Sequence, residues 1–372
     1  MTTNLTTKDG ITIIGVIPEY PAHSKHNIFA GIRMPPVGIV SVFTQIKELP
    51  YVKNAYIIDE NNYAGPRNHL GFVNHSFLQK QDPANIAMFY GGMSNSILRM
   101  YSLAQEYQKK GIITIAGGSH VDALPKEALY KGIDIVVHGE GEYTAIEILN
   151  AMSHNNTVTL NKNNLANIKG ISYLANNGDY VFTGKREPIV DLDLLKDPDL
   201  TLIKYLDKRW TSIPINKGRG CNWNCEFCVV NKQYGKYKTI SESKALRQII
   251  KYSDMGYTNF FFTDDNFVQN PQSALELCNQ IGDYKRKFNK KINLNVQVRN
   301  ELSENQLLIN AMKYAGVTIL CIGYESPINE ELKAMNKGVT VEKLVERSKK
   351  LSEHFYCMEC SYLVILHLKI QK

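Results

Sequence analysis

Gly218-Arg-Gly-Cys221-Asn-Trp-Asn-Cys225-Glu-Phe-Cys228 is the stretch that decides how the chain is read. Its three cysteines stand four and three residues apart. They follow directly on Thr211-Ser-Ile-Pro-Ile-Asn216, which reads as a strand. A structural zinc site closes with four ligands, and a fully ligated iron–sulfur cubane takes four thiolates. Three cysteines fall one short of either. Held on three irons of a 4Fe-4S cluster, they leave the fourth iron open. An open iron can chelate the amino and carboxylate groups of S-adenosylmethionine and pass an electron to its sulfonium. The glycines at 218 and 220 let the loop fold around a cluster. Two plainer readings stand beside this one: a three-cysteine zinc site completed by a distant ligand such as His120 or His138, and three unconnected cysteines.

Downstream of the loop, strand and helix patterns alternate. Helices are expected over 241–256 with Ser241 as cap, 271–288, 303–316 with Ser303 as cap and Gln306 three residues on, and 329–353 broken at Gly338. Strands are expected over 257–263, 292–298 and 317–323. Upstream, apolar runs at 10–17, 54–58, 86–90, 112–116 and 133–137 alternate with helical spacing at 37–49 and 96–110, and glycines punctuate several run ends. This is the pattern of parallel strands buried on both faces, whose ligands sit at the carboxyl ends. Residues 151–208 are richer in Asn and turn pairs. They read as a linker with a small hairpin around Asn177-Gly178.

The chain has 372 residues, about two and a half domains at ~150 residues each. Hydrophobic residues are 44% and charged residues 21%, which excludes a wholly disordered chain. The net charge is +7, and +6 of it lies between Lys204 and Lys238, around the cysteine loop. A nucleic-acid groove is a poor account of so local an excess. No apolar run reaches the ~18 residues of a membrane span, and Met1–Gly10 lacks a signal-peptide pattern. None of the seven cysteines precedes Cys221, which argues against a secreted disulfide framework and for a cytoplasmic protein.

The cysteine loop, with Phe227 before its last cysteine, resembles the radical S-adenosylmethionine (SAM) superfamily. Phe260-Phe-Phe-Thr-Asp-Asp-Asn266, Asn295-Val-Gln-Val-Arg299 and Ile322-Gly-Tyr-Glu-Ser326 resemble its second, third and fourth barrel strands. The resemblance implies that Cys221, Cys225 and Cys228 hold iron and that Phe227 lies near the adenine. It gives Thr263, Asp264, Asp265 and Asn266 to the amino group of the cofactor, and Glu325 to the neighbourhood of the ribose. Gly117-Gly-Ser-His-Val-Asp-Ala-Leu-Pro125, Asp134-Ile-Val-Val-His-Gly-Glu-Gly-Glu142 and Glu187-Pro-Ile-Val-Asp-Leu-Asp193 are similar to the cobalamin-binding-domain subclass. Gly92, Ser94, Gly117, Gly118, Gly139 and Glu140 are the implied cobalamin contacts. The chain has no D-x-H-x-x-G string to supply a cobalt-ligating histidine. Members of the subclass often lack it, which implies a cobalt whose lower face is open or met by another residue. His120 and His138 are lesser candidates that read more readily as polar edge residues.

The resemblance therefore implies an α/β chain in four parts. These are a Rossmann-like cobalamin-binding-type domain over 1–150, the linker over 151–208, an incomplete radical SAM (β/α) barrel over 209–354, and an aberrant tail over 355–372. It implies reductive cleavage of SAM to a 5′-deoxyadenosyl radical, for methylation or rearrangement of an unactivated carbon in a small-molecule substrate. A flavodoxin- or ferredoxin-like donor supplies the electron and meets the basic patch. The alternatives are a cobalamin-independent radical enzyme and a truncated, cluster-binding fragment without turnover. The tail reads as frameshifted: with one choice of codons, Cys357–His367 read two bases later resembles a fifth barrel strand. The competing reading makes Cys357-x-x-Cys360 a redox or metal pair.

Overall fold

The structure is a computed structural model that describes residues 4–6, 10–21, 33–154 and 157–362. It comprises two compact units. One contains residues 1–189 and 195–211, and the other contains 190–194 and 212–372.

In the first unit the strands are β1 (Ile11–Ile17), β2 (Val52–Asp59), β3 (Ile86–Tyr90), β4 (Ile113–Gly117), β5 (Ile135–Val137), β6 (Ile171–Leu174), β7 (Tyr180–Phe182) and β8 (Ile203–Lys204). They form one sheet in the order β7-β6-β5-β4-β3-β1-β2-β8. The pairs from β5 through to β8 are parallel, whereas β6 and β7 are antiparallel additions at one edge. All seven residues of β1 are buried, as a central strand covered on both faces requires. The sequence reverses direction at β1, which pairs with β2 on one side and β3 on the other. The stretch read as a linker thus contributes the hairpin β6–β7 to one edge and β8 to the other. The helices are α1 (Val37–Ile46), α2 (His75–Gln81), α3 (Ile97–Lys109), α4 (Ser119–Ala123), α5 (Pro125–Tyr130) and α6 (Glu142–Met152).

The second unit carries β9 (Ile213–Ile215), β10 (Asn259–Phe262), β11 (Asn293–Val298), β12 (Val317–Glu325) and β13 (Tyr356–Tyr362). They pair in chain order and are all parallel. Between them run α7 (Val230–Tyr234), α8 (Glu242–Asp254), α9 (Pro271–Lys287), α10 (Gln306–Ala315), α11 (Asn329–Ala334) and α12 (Val341–Ser352). β11 alternates, with Leu294, Val296 and Val298 buried and Asn293, Asn295 and Gln297 only partly so. The opening residues of the segment read as an aberrant tail form β13, with Tyr356 opposite Ile319 of β12. Residues 363–372 lie outside the described residues.

One cap expectation is corrected, and another is met in position but without a capping bond. Helix α10 starts at Gln306, and its cap is Asn305, whose side chain accepts from the Leu308 amide at 3.0 Å. Ser303 sits in the preceding 3-10 turn, Asn300–Glu304, with its hydroxyl buried and unpartnered. Ser241 does precede α8, but its side chain makes no capping bond.

Candidate cluster and cofactor site

The site is built at the carboxyl ends of β9 and β10. After β9 the chain passes through Lys217, which is fully buried. Its ammonium donates to Ser273 Oγ at 2.6 Å and Thr239 Oγ1 at 3.1 Å, and its amide donates to Asp264 Oδ1 at 2.9 Å. Burial lowers the Lys217 pKa, against the pull of Asp264 and Glu242. Gly218–Arg219 then pairs antiparallel with Lys238–Thr239, which pins together the two ends of the cysteine loop. Gly220 closes the turn at φ +84°, and a Cβ there would stand 2.8 Å from the carbonyl oxygens of Gly235 and Lys236. Only glycine fits so close an approach of two backbones.

Cys221, Cys225 and Cys228 are free and partly buried. The amide of Cys228 donates to the Cys225 carbonyl at 3.1 Å. Burial raises the thiol pKa of both Cys221 and Cys228, and mutual repulsion among the three cysteines, with Asp265, adds to it. The sulfurs are therefore within electrostatic reach of one another. Among the described residues, no three His, Cys, Asp or Glu side chains gather for a single ion. A cubane does not need them to. It ligates each cysteine through a different iron, so its thiolates stand further apart than the ligands of one zinc. Neutral thiols must lose their protons when metal enters.

The second-strand residues lie next to this loop in the unit. Thr263 is tied to β9: its amide donates to the Ile215 carbonyl at 2.9 Å, and its hydroxyl accepts from Asn216 at 3.2 Å. Asp264 is fully buried. Burial raises its carboxyl to about 7, against the amides of Gly218 and Lys217 and the Lys217 charge. One of its oxygens is satisfied by Lys217, and Oδ2 is buried without a partner. Asn266 is buried and leaves Oδ1 unpartnered. Asp265 is exposed. Two buried acceptors, on Asp264 and Asn266, fit a cationic donor such as an ammonium group. Phe227 is 40% exposed, so its ring is open to a ligand. Glu325 ends β12 in a left-handed conformation (φ +69°), buried, with Oε1 3.0 Å from Lys337 Nζ.

Sequence reasoning missed the residues that fasten the loop. Gln269 Oε1 accepts from Cys221 Sγ and the Asn222 amide, both at 3.3 Å. Arg299 Nη1 reaches Cys225 Sγ at 3.8 Å, and its guanidinium lies 3.8 Å from the centre of the Trp223 ring. The turn between α11 and α12 completes the support. Met335 O accepts from the Glu226 amide at 3.0 Å, and Asn336 Nδ2 donates to Asn224 O at 2.8 Å. Lys337 O accepts from Arg299 at 2.6 Å. Their one advance signal was the helix break at Gly338.

In the first unit, the expected contacts Gly92, Ser94, Gly117 and Gly118 gather at the ends of β3 and β4, while Gly139 and Glu140 follow β5. The glycines close two loops on each other. Gly91 N donates to Gly117 O at 2.7 Å, and a Cβ on Gly118 (φ +120°) would stand 2.6 Å from Gly92 N. Glu140 accepts from the Ile189 amide at 2.7 Å, and Gly139 N donates to Asp122 at 3.2 Å. Both ring nitrogens of His138 are engaged, Nδ1 with Asp122 at 2.5 Å and Nε2 with Ser172 at 2.7 Å. His120 contacts Ser94 Oγ through Nδ1 at 2.8 Å and leaves Nε2 buried without a partner.

Residues 215–370 match the Radical SAM superfamily. The chain is 26% identical over 265 residues to the anaerobic magnesium-protoporphyrin IX monomethyl ester cyclase of Rubrivivax gelatinosus, covering 68% of this chain and 46% of the relative. It is 25% identical over 347 residues to an uncharacterized methyltransferase of Pyrococcus horikoshii, covering 91% of this chain and 70% of that one. It thus spans less than half of the first relative and about two thirds of the second. Its fold is similar to the cobalamin-dependent S-adenosylmethionine radical enzyme OxsB, solved with aqua-cobalamin and S-adenosylmethionine bound (TM-score 0.71, 16% identity, 94% of this chain and 49% of that one). It is also similar to the radical S-adenosylmethionine methyltransferase TsrM of Kitasatospora setae (TM-score 0.73, 15% identity, 94% and 67%).

Proposed function

We propose that this chain, which carries a radical SAM domain over residues 215–370, binds a 4Fe-4S cluster through Cys221, Cys225 and Cys228 and cleaves SAM reductively beside it. The observation that carries the reading is the pairing of a three-cysteine loop at the end of β9 with the unpartnered acceptors of Asp264 and Asn266 at the end of β10. When bound, the cluster would supply the electron for reductive cleavage of a carbon–sulfur bond of SAM to a 5′-deoxyadenosyl radical. The chain's own residues do the rest. Asp264 and Asn266 accept hydrogen bonds from the amino group of the methionine moiety. Phe227 offers a ring face to the adenine, and Glu325, fixed by Lys337, stands for the ribose. The basic residues between Lys204 and Lys238 favour an acidic electron donor of the flavodoxin or ferredoxin class.

The first unit is proposed to be a Rossmann-like cobalamin-binding domain. Its strand order places a switch point beside β1, where open α/β sheets take ligands at their carboxyl ends. When bound, cobalamin would supply a methyl group for transfer. Methylation of an unactivated carbon of a small molecule is the favoured reaction, in keeping with methyltransferases among the similar proteins. We place the protein in the cytoplasm, where reduced thiols persist. Among the described residues no helix is long and apolar enough to cross a membrane.

The test is anaerobic reconstitution with iron and sulfide, then incubation with SAM and dithionite. The expected result is ~4 irons per chain and release of 5′-deoxyadenosine. A chain loaded with cluster that releases none overturns the enzymatic reading. Hydroxocobalamin retained through desalting, seen by its visible spectrum, tests the first unit separately.

A further inference from the structure

Arg299 is a residue to which the cluster reading assigns nothing, yet it touches Cys225 and Trp223 in the loop and the Lys337 carbonyl beneath it. It ends β11, and its side chain is 11% exposed. Nη1 is 3.8 Å from Cys225 Sγ, the guanidinium lies 3.8 Å from the Trp223 ring centre, and Nη2 donates to Lys337 O at 2.6 Å. Glu301 holds the other side of the fork, accepting from Nε at 3.2 Å and Nη2 at 3.0 Å. The side chain is thus locked by a carboxylate, a carbonyl and a stacked ring before any metal arrives. Its remaining nitrogen is directed at a proposed iron ligand. A planar, permanently charged fork suits this task, whereas a flexible ammonium does not make the same set of contacts.

Resting on the cluster reading above, we propose that Arg299 is a positioning residue for the cluster. It fixes Cys225 and sets the reduction potential by donating a charged hydrogen bond to that thiolate. Reduction adds one electron from a flavodoxin- or ferredoxin-class donor, with no bond made or broken. The added negative charge is spread over the sulfurs. A cation hydrogen-bonded to one of them stabilises the reduced form more than the oxidised form. Glu301 opposes this effect, because its carboxylate neutralises part of the guanidinium charge.

The experiment uses the full chain, reconstituted anaerobically, with Arg299→Gln, Arg299→Lys and Glu301→Gln beside the wild type. The readouts are iron per chain, circular dichroism and an EPR-monitored potentiometric titration with chemical mediators. R299Q is expected to lower the reduced-to-oxidised ratio at fixed potential about tenfold, a shift of ~59 mV for one electron. R299K is expected to fall between R299Q and the wild type. E301Q is expected to shift in the opposite direction, because the guanidinium is then less neutralised. Loss of iron from a folded R299Q supports the positioning role. If R299Q does not fold, E301Q decides: no upward shift overturns the proposal. Unchanged potentials in all three variants, at wild-type iron content, overturn it as well. A wild-type chain that takes up no cluster overturns the functional reading and this inference together, whereas a failure confined to the variants overturns this inference alone.

Discussion

Two buried carboxylates are held on opposite sides of their ordinary titration range, and the signs give separate tests. Asp264 is raised from 3.8 to about 7 by burial. Between those values the folded chain binds a proton that the unfolded chain has released. Its contribution to stability therefore falls as pH rises from about 4 to about 7. Asp264→Asn removes that slope, and thermal denaturation of the apo-protein across this range is expected to show a flatter profile. The same substitution deletes the charge proposed to receive the ammonium of SAM. Loss of a charged hydrogen bond of ~1.5–3 kcal/mol weakens binding roughly 10- to 100-fold, which calorimetry on the reconstituted chain measures. Glu60 behaves oppositely. Burial raises it, but hydrogen bonds from His75 at 3.1 Å and Arg99 at 2.6 Å outweigh this and hold it at about 2. That stability is present above about 4.5 and is lost as pH falls through 2. Glu60→Gln is expected to lower the melting temperature at neutral pH and to converge with the wild type in acid.

At the scale of elements, helix starts separate residues that look alike in sequence. Asn305→Ala removes a real cap on α10 and should cost about 1 kcal/mol. Ser241→Ala removes no capping bond and should leave the melting temperature nearly unchanged. Gly118→Ala forces a Cβ against the Gly92 backbone at a positive φ. A loss of about 2 kcal/mol or more, read as a lowered denaturation midpoint, is expected. The long parallel strands were legible because buried strands are written as unbroken apolar runs, β1 and β3 above all. Helix α2 was not, since seven polar-rich residues show no period and its signal is the single side chain of Asn74, which accepts from Phe77 N at 2.9 Å. The cysteines and Asp264-Asp265-Asn266 were legible as local strings. Gln269, Arg299 and the Met335–Lys337 turn were not, because they meet the loop only through pairing of strands and turns far apart in sequence.

For the whole molecule, each unit carries its own sheet: the first takes its edge strands from residues 171–182 and 203–204, and the second ends on β13, the last strand of its β/α run. In the second unit, β13 covers the edge of β12, a nine-residue strand with Leu320 and Ile322 fully buried. Deleting residues 356–372 leaves that edge unpaired. Such a variant is expected to elute as oligomers or aggregates in size-exclusion chromatography under conditions where the full chain does not.

The loop and its fastenings are also separated in time. Asn336, which holds the carbonyl of Asn224, follows it by 112 residues, and Arg299 follows Cys225 by 74. At ~5–20 residues per second, Asn336 is added to the growing chain roughly 6–22 s after Asn224. Until then the three thiols stand on a nascent chain that lacks the last of the loop's fastenings, Gln269 and Arg299 having been added earlier. Iron delivered then would meet an incomplete cradle. The proposed cluster is therefore expected to load only after Asn336 has been synthesised.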